Sequence, residues 1–110
     1  MSSHKVVISK NDLENIRRLS DEVFKEIGSE NYKQKLVYNL LNIVRSGDQE
    51  KFLWNILRAL NSRKDNDSAK KLIGEINKLY AFKISGKNFE KLAYTIIMGI
   101  MSSQPKSGGD

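Results

Sequence analysis

Apolar positions recur at helical spacing along most of the chain. Leu13, Ile16, Leu19, Val23, Phe24 and Ile27 stand three or four residues apart and predict a helix over about residues 12–27. Asn11 offers an N-cap with Glu14 as its capping-box partner, and Gly28 offers the stop. A second helix, about 31–45, buries Leu36, Val37, Leu40, Leu41, Ile43 and Val44. Gly47 ends it, a residue suited to positive φ, and Asp48 caps a third helix at about 49–62. The third stripe is Phe52, Leu53, Ile56, Leu57 and Leu60. Asn61 to Ser68 is polar and reads as a loop. Asp67 or Ser68 then caps a fourth helix, about 69–80, with Leu72, Ile73, Ile76, Leu79 and Tyr80 inward. Gly74 weakens that helix by about 1 kcal/mol relative to alanine. Phe82 and Ile84 alternate with Lys83, which predicts a short extended connector. Ser85 or Asn88 opens a fifth helix, about 88–102, with Phe89, Leu92, Ala93, Ile96, Ile97 and Ile100 inward.

These elements predict an all-α fold, a compact bundle of about five helices with a disordered C-terminal tail. Short connections favour antiparallel neighbours. The chain has 110 residues, enough for one domain. Residues 1–10 read as a loose lead-in, 11–102 as the bundle and 103–110 as the disordered tail. The one proline, Pro105, lies outside every periodic segment, so none interrupts a helix.

Little in the chain suggests catalysis. Cysteine is absent, which removes disulfides and thiolate metal sites. His4 is the one histidine and falls in the lead-in, where a solvated side chain is far commoner than a catalytic one. Ser85-Gly86-Lys87 lacks the earlier glycine and the strand that a phosphate loop requires. Asp65 and Asp67 read as loop and capping residues, and Glu14, Asp21 and Glu22 as the solvent side of helix one. No catalytic residue, metal or cofactor is assigned, and no small-molecule substrate is expected. No apolar run has the length of a signal peptide core or a membrane span. The chain reads as a soluble, cytoplasmic protein.

Charge redirects attention to the surface. The net charge is +6. Residues 31–91 hold thirteen Lys and Arg against six Asp and Glu, a net of +7. A polyanion such as nucleic acid fits that excess, although many small basic proteins bind none. On a helical wheel Lys51, Trp54 and Arg58 form one outer line of helix three, with Asn55 beside them. An aromatic between two cations suits a stacked base with its phosphates held on either side. Trp54 also fits as a boundary ring covering the core edge. Tyr38, Asn42 and Arg45 adjoin one another on helix two. Lys71 and Lys78 share one side of helix four. Lys87, Lys91, Tyr94 and Met98 lie outward on helix five. Tyr94, Met98 and Met101, opposite the core stripe, mark a candidate protein contact.

The run Lys35-Leu36-Val37-Tyr38-Asn39-Leu40-Leu41-Asn42, followed by Arg45-Ser46-Gly47-Asp48, Phe52 and Leu57-Arg58, resembles the C-terminal helical region of the Cst-type large subunit of type I-B CRISPR Cascade complexes. Phe89-Glu90, Tyr94 and Gly99 resemble that region's final helix. The likeness spans roughly 33–101 and is moderately specific; residues 1–30 match less clearly. The same region is also made separately as the Cascade small subunit, and the chain is expected to be such a subunit. The resemblance implies a non-catalytic helical bundle present in several copies, contacting the large subunit, the backbone subunits and itself. It implies support for the guide RNA–target DNA duplex and retention of the displaced single-stranded DNA, in antiviral defence. Guide pairing would supply sequence specificity, so such a subunit needs only charge and shape.

Two other readings stand beside it. Helices two and three around Gly47 resemble a helix-turn-helix, which would make the chain a small DNA-binding regulator. Against this, the recognition helix would carry Phe52, Leu53, Trp54, Ile56 and Leu57, with few groups for base edges. The third reading is a helical protein-interaction module without nucleic acid.

Overall fold

A computed structural model describes residues 8–25, 30–63, 66–80 and 86–103, with the backbone alone for 79 and 80. Five helices account for nearly all of them: α1 (Lys10–Lys25), α2 (Glu30–Ser46), α3 (Gln49–Asn61), α4 (Asp67–Tyr80) and α5 (Gly86–Ser102). The described residues contain no strand. No described helix is long and apolar enough to cross a membrane. His4, Ile27, Gly28, Asp65, the 82–84 connector, Ser85 and the segment 104–110 lie outside the described residues, as do the side chains of Leu79 and Tyr80.

Local chemistry sets the helix starts: α1, α4 and α5 each begin two residues before the expected position, and at α1 and α4 the cap differs from the one expected. The cap of α1 is Ser9 rather than Asn11. The Asp12 N–H donates to Ser9 Oγ at 3.0 Å, and the Ser9 N–H donates back to Asp12 Oδ2 at 3.3 Å. This reciprocal pair has the same spacing as Asn11 and Glu14, but it lies beside buried Ile8. Ile8 before the cap and Leu13 four residues after it both join the core, the positions of a hydrophobic staple. The presumed lead-in is therefore built into the fold from Ile8 onward. At α4 the cap is Asn66, not Asp67 or Ser68: the Ala69 N–H donates to Asn66 Oδ1 at 3.1 Å, and the helix begins at Asp67. The α3 cap is the expected one, with the Lys51 N–H donating to Asp48 Oδ1 at 3.0 Å. Gly47 has φ +75°, where an L side chain would be strained.

The helices close into a ring. α5 packs against α1 and α2, α1 against α4, α2 against α3, and α3 against α4. α5 is the most apolar wall, burying Phe89, Leu92, Ala93, Ile96, Ile97, Gly99 and Ile100. Its partners insert Ile16, Leu19, Val23 and Phe24 from α1, and Leu40, Ile43 and Val44 from α2. Phe52 and Phe89 meet edge to face, centroids 5.5 Å apart and planes at 83°. That is a favourable aromatic geometry, and it ties α3 to α5.

Two polar features belong to the same framework. Lys33 of α2 is 1% exposed, and its ammonium donates to the carbonyl and the hydroxyl of Ser103, each at 3.4 Å. A cation there complements the negative end of α5 and satisfies one of its terminal carbonyls. Ser103 is buried, so the fold extends one residue into the segment expected to be a tail. On α1, Asp21 and Glu22 are half-buried rather than fully on the solvent side, while Glu14 is exposed.

Candidate nucleic-acid interface

α3 buries Phe52, Ile56, Ala59 and Leu60 and leaves Leu53 and Leu57 half-covered. This rotation carries Lys51, Trp54 and Arg58 outward, and all three are exposed. Trp54 is 65% exposed, so it is not a ring closing the core edge. Arg58, one turn on, lies over the indole with its guanidinium carbon 5.6 Å from the ring centroid. A cation–π contact at an exposed site is worth about 0.5–1 kcal/mol and restrains both side chains.

Arg58 divides two surface hollows. The first, about 760 Å³, runs along α3 and is lined by Glu50, Leu53, Trp54, Leu57, Arg58 and Asn61. Its floor is mainly apolar. The second, about 660 Å³, lies between α2 and α3 and is lined by Tyr32, Leu36, Asn55, Arg58, Ala59, Ser62 and Arg63. It holds two guanidinium groups and no carboxylate in its described wall. The Asn55 amide donates to the Lys51 carbonyl at 2.8 Å, and the Ser62 hydroxyl donates to the Ala59 carbonyl at 2.7 Å. Both groups are thus tied back to the helix, which leaves Arg58 and Arg63 as the charged donors facing the groove.

The groove follows from the α2–α3 hairpin. Tyr32 stands fifteen positions before Gly47 and Arg63 fifteen after Asp48; Leu36 and Ala59 stand eleven from the same turn on either side. An antiparallel pair with a two-residue turn brings equidistant residues together. Tyr32 and Arg63 were not among the residues singled out from the sequence. Arg63 fell in the presumed loop, and Tyr32 lay before the apolar stripe of its helix.

The other expected residues divide by helix. Tyr38 and Arg45 are exposed on α2, Tyr38 at 68%. Lys71 and Lys78 are exposed on α4, and Lys87 and Lys91 on α5. None of these six lines either hollow at Arg58. Lys71 instead acts on Glu22 of α1. Glu22 accepts a hydrogen bond from the Ser68 hydroxyl at 2.8 Å and pairs with Arg18 at 2.8 Å. The Ser68 bond holds the Glu22 carboxyl below its ordinary pKa, with Arg18 and the Lys71 charge acting the same way and partial burial opposing them. Tyr94, Met98 and Met101 are exposed on α5, continuing the line of Lys87 and Lys91 at spacings of three and four. They form one outward apolar stripe on the helix that otherwise supplies the largest share of the described core.

Among the described residues no group of three His, Cys, Asp or Glu is placed to hold a metal ion. No family model, curated protein or solved structure matches the chain.

Proposed function

We propose that the chain is a non-catalytic nucleic-acid-binding subunit, and that it serves as the small subunit of a type I-B CRISPR Cascade complex. In this role several copies line the complex, support the guide RNA–target DNA duplex and retain the displaced strand. The observation that carries the reading is the exposed Trp54–Arg58 pair at 5.6 Å, set between an apolar hollow and an arginine-lined groove. A pinned indole offers a stacking platform for any base, and the adjacent guanidinium groups offer phosphate contacts. The specific place in a Cascade complex comes from the resemblance of residues 33–101.

Within that assembly the two exposed surfaces have separate roles. The α3 face takes nucleic acid. The Tyr94–Met98–Met101 stripe contacts neighbouring subunits or further copies of the chain. Reconstitution with the remaining subunits, guide RNA and target DNA tests both. Lys51→Ala with Arg58→Ala should weaken target capture and leave incorporation intact. Tyr94→Ala with Met98→Ala should loosen incorporation. If omitting the chain had no effect on target opening, the Cascade assignment would fail. A strong preference for one palindromic duplex would favour the helix-turn-helix regulator instead.

A further inference from the structure

Resting on the reading that the α3 face binds a single strand, we infer that the strand crosses α3 at Arg58, bases on the Trp54 side and phosphates on the Arg63 side. The two hollows differ in the way the two halves of a nucleotide differ. One presents Leu53, Trp54 and Leu57, an apolar floor with an exposed indole at its edge. The other presents Arg58 and Arg63. Arg58 is the wall common to both, and its guanidinium lies over the indole.

Glu50 fixes the direction. It lines the apolar hollow, at the end away from Arg58, so a phosphate there would meet a carboxylate. A phosphate in the α2–α3 groove meets two guanidinium groups, each able to bind it through paired donors. Only the arrangement with phosphates in the groove satisfies both charge patterns. Trp54 and Arg58 are one turn apart, about 6 Å along the helix, so a base on the indole leaves its own phosphate within reach of Arg58. Arg63, just past the end of α3, then takes a neighbouring phosphate. Its backbone is held on both sides, the Arg63 N–H donating to the Leu60 carbonyl and the Asn66 N–H to the Arg63 carbonyl, which fixes where the side chain leaves the turn. The occupant is a single strand, because a duplex keeps its base faces stacked and unavailable to the indole.

The test compares an ordinary single-stranded oligonucleotide with an abasic one of the same length, across a salt series, for wild type, Trp54→Ala and Arg63→Gln. Thermal melts confirm that both variants fold, as expected for replacements outside the core. On the ordinary strand Trp54→Ala should weaken binding roughly 5- to 100-fold, the loss of one stacked base. On the abasic strand the same variant should match wild type. Arg63→Gln should reduce the salt slope by about 0.7 on both strands, the loss of one phosphate contact. If Trp54→Ala weakened abasic binding as much as ordinary binding, or Arg63→Gln left the slope unchanged, the proposed path would be overturned while single-strand binding stood. If wild type bound neither strand, the underlying reading would fall and the path with it.

Discussion

Gly99 of α5 meets Ser20 of α1 so closely that a β-carbon at position 99 would lie 2.5 Å from Ser20 Cβ and 2.7 Å from the Arg17 carbonyl oxygen. The second neighbour is backbone and cannot swing aside. Ser20 is itself fully buried, its hydroxyl returned to the Ile16 carbonyl at 2.8 Å. The glycine and the serine thus set how near the two helices approach. Gly99→Ala should force them apart and lower stability by about 1–3 kcal/mol, the usual cost of overpacking. Chemical denaturation measures it, and an unchanged midpoint would show that α1 and α5 can separate freely.

Gly74 has the opposite environment. It lies inside α4, is exposed, and an added β-carbon would meet nothing within 4 Å. Gly74→Ala should therefore raise stability by about 1 kcal/mol through helix propensity alone. A lower melting midpoint would contradict the open surface at that position.

The contrast between these glycines marks what could be read without coordinates. Helix number, type and core faces were legible because apolar residues repeat at one period; all six residues expected inward on α5 are buried. Gly47 and Asp48 were legible because a turn and a cap have local chemistry. The caps at Ser9 and Asn66 were not distinguishable, because several polar residues there had suitable spacing. The close approach at Gly99 was not legible, since it depends on a helix about eighty positions earlier. At the candidate interface, the outward direction of Lys51, Trp54 and Arg58 was a matter of helical phase. The groove with Tyr32 and Arg63 depended on pairing α2 with α3 about the Gly47–Asp48 turn. Lys33 reads as a surface lysine until α5 is placed beside it.

Buried Lys33 makes a separate prediction. Its ammonium meets the Ser103 carbonyl and hydroxyl with only 1% of the residue exposed. Lys33→Ala should leave a buried carbonyl unsatisfied and cost about 1–3 kcal/mol. Lys33→Met keeps more of the packing and should cost less. Equal losses in the two variants would show that the stem contributes nothing.

Glu22 gives a pH signature. Its carboxyl is held below the ordinary value of 4.5, first by the Ser68 hydroxyl and then by Arg18 and Lys71. A depressed folded-state pKa stabilises the fold above the unfolded value, and that contribution is lost as pH falls through the folded value. Ser68→Ala should therefore destabilise the protein at neutral pH, modestly because Glu22 is partly exposed. The gap from wild type should shrink once the pH drops below the ordinary carboxylate range. Denaturation midpoints at neutral and acidic pH check this; a gap that widened in acid would reverse the assigned sign.

The central claim is that the outer face of α3 binds single-stranded nucleic acid through phosphate charge and base stacking. Fluorescence anisotropy with a labelled single strand across a salt series tests it most directly, for wild type and for Lys51→Ala with Arg58→Ala. Both residues are exposed, so the variant should fold as wild type does. Wild-type affinity should fall steeply with salt, and losing two phosphate contacts should reduce the slope by about 1.4. A flat wild-type profile, or a variant with the wild-type slope, would contradict the account.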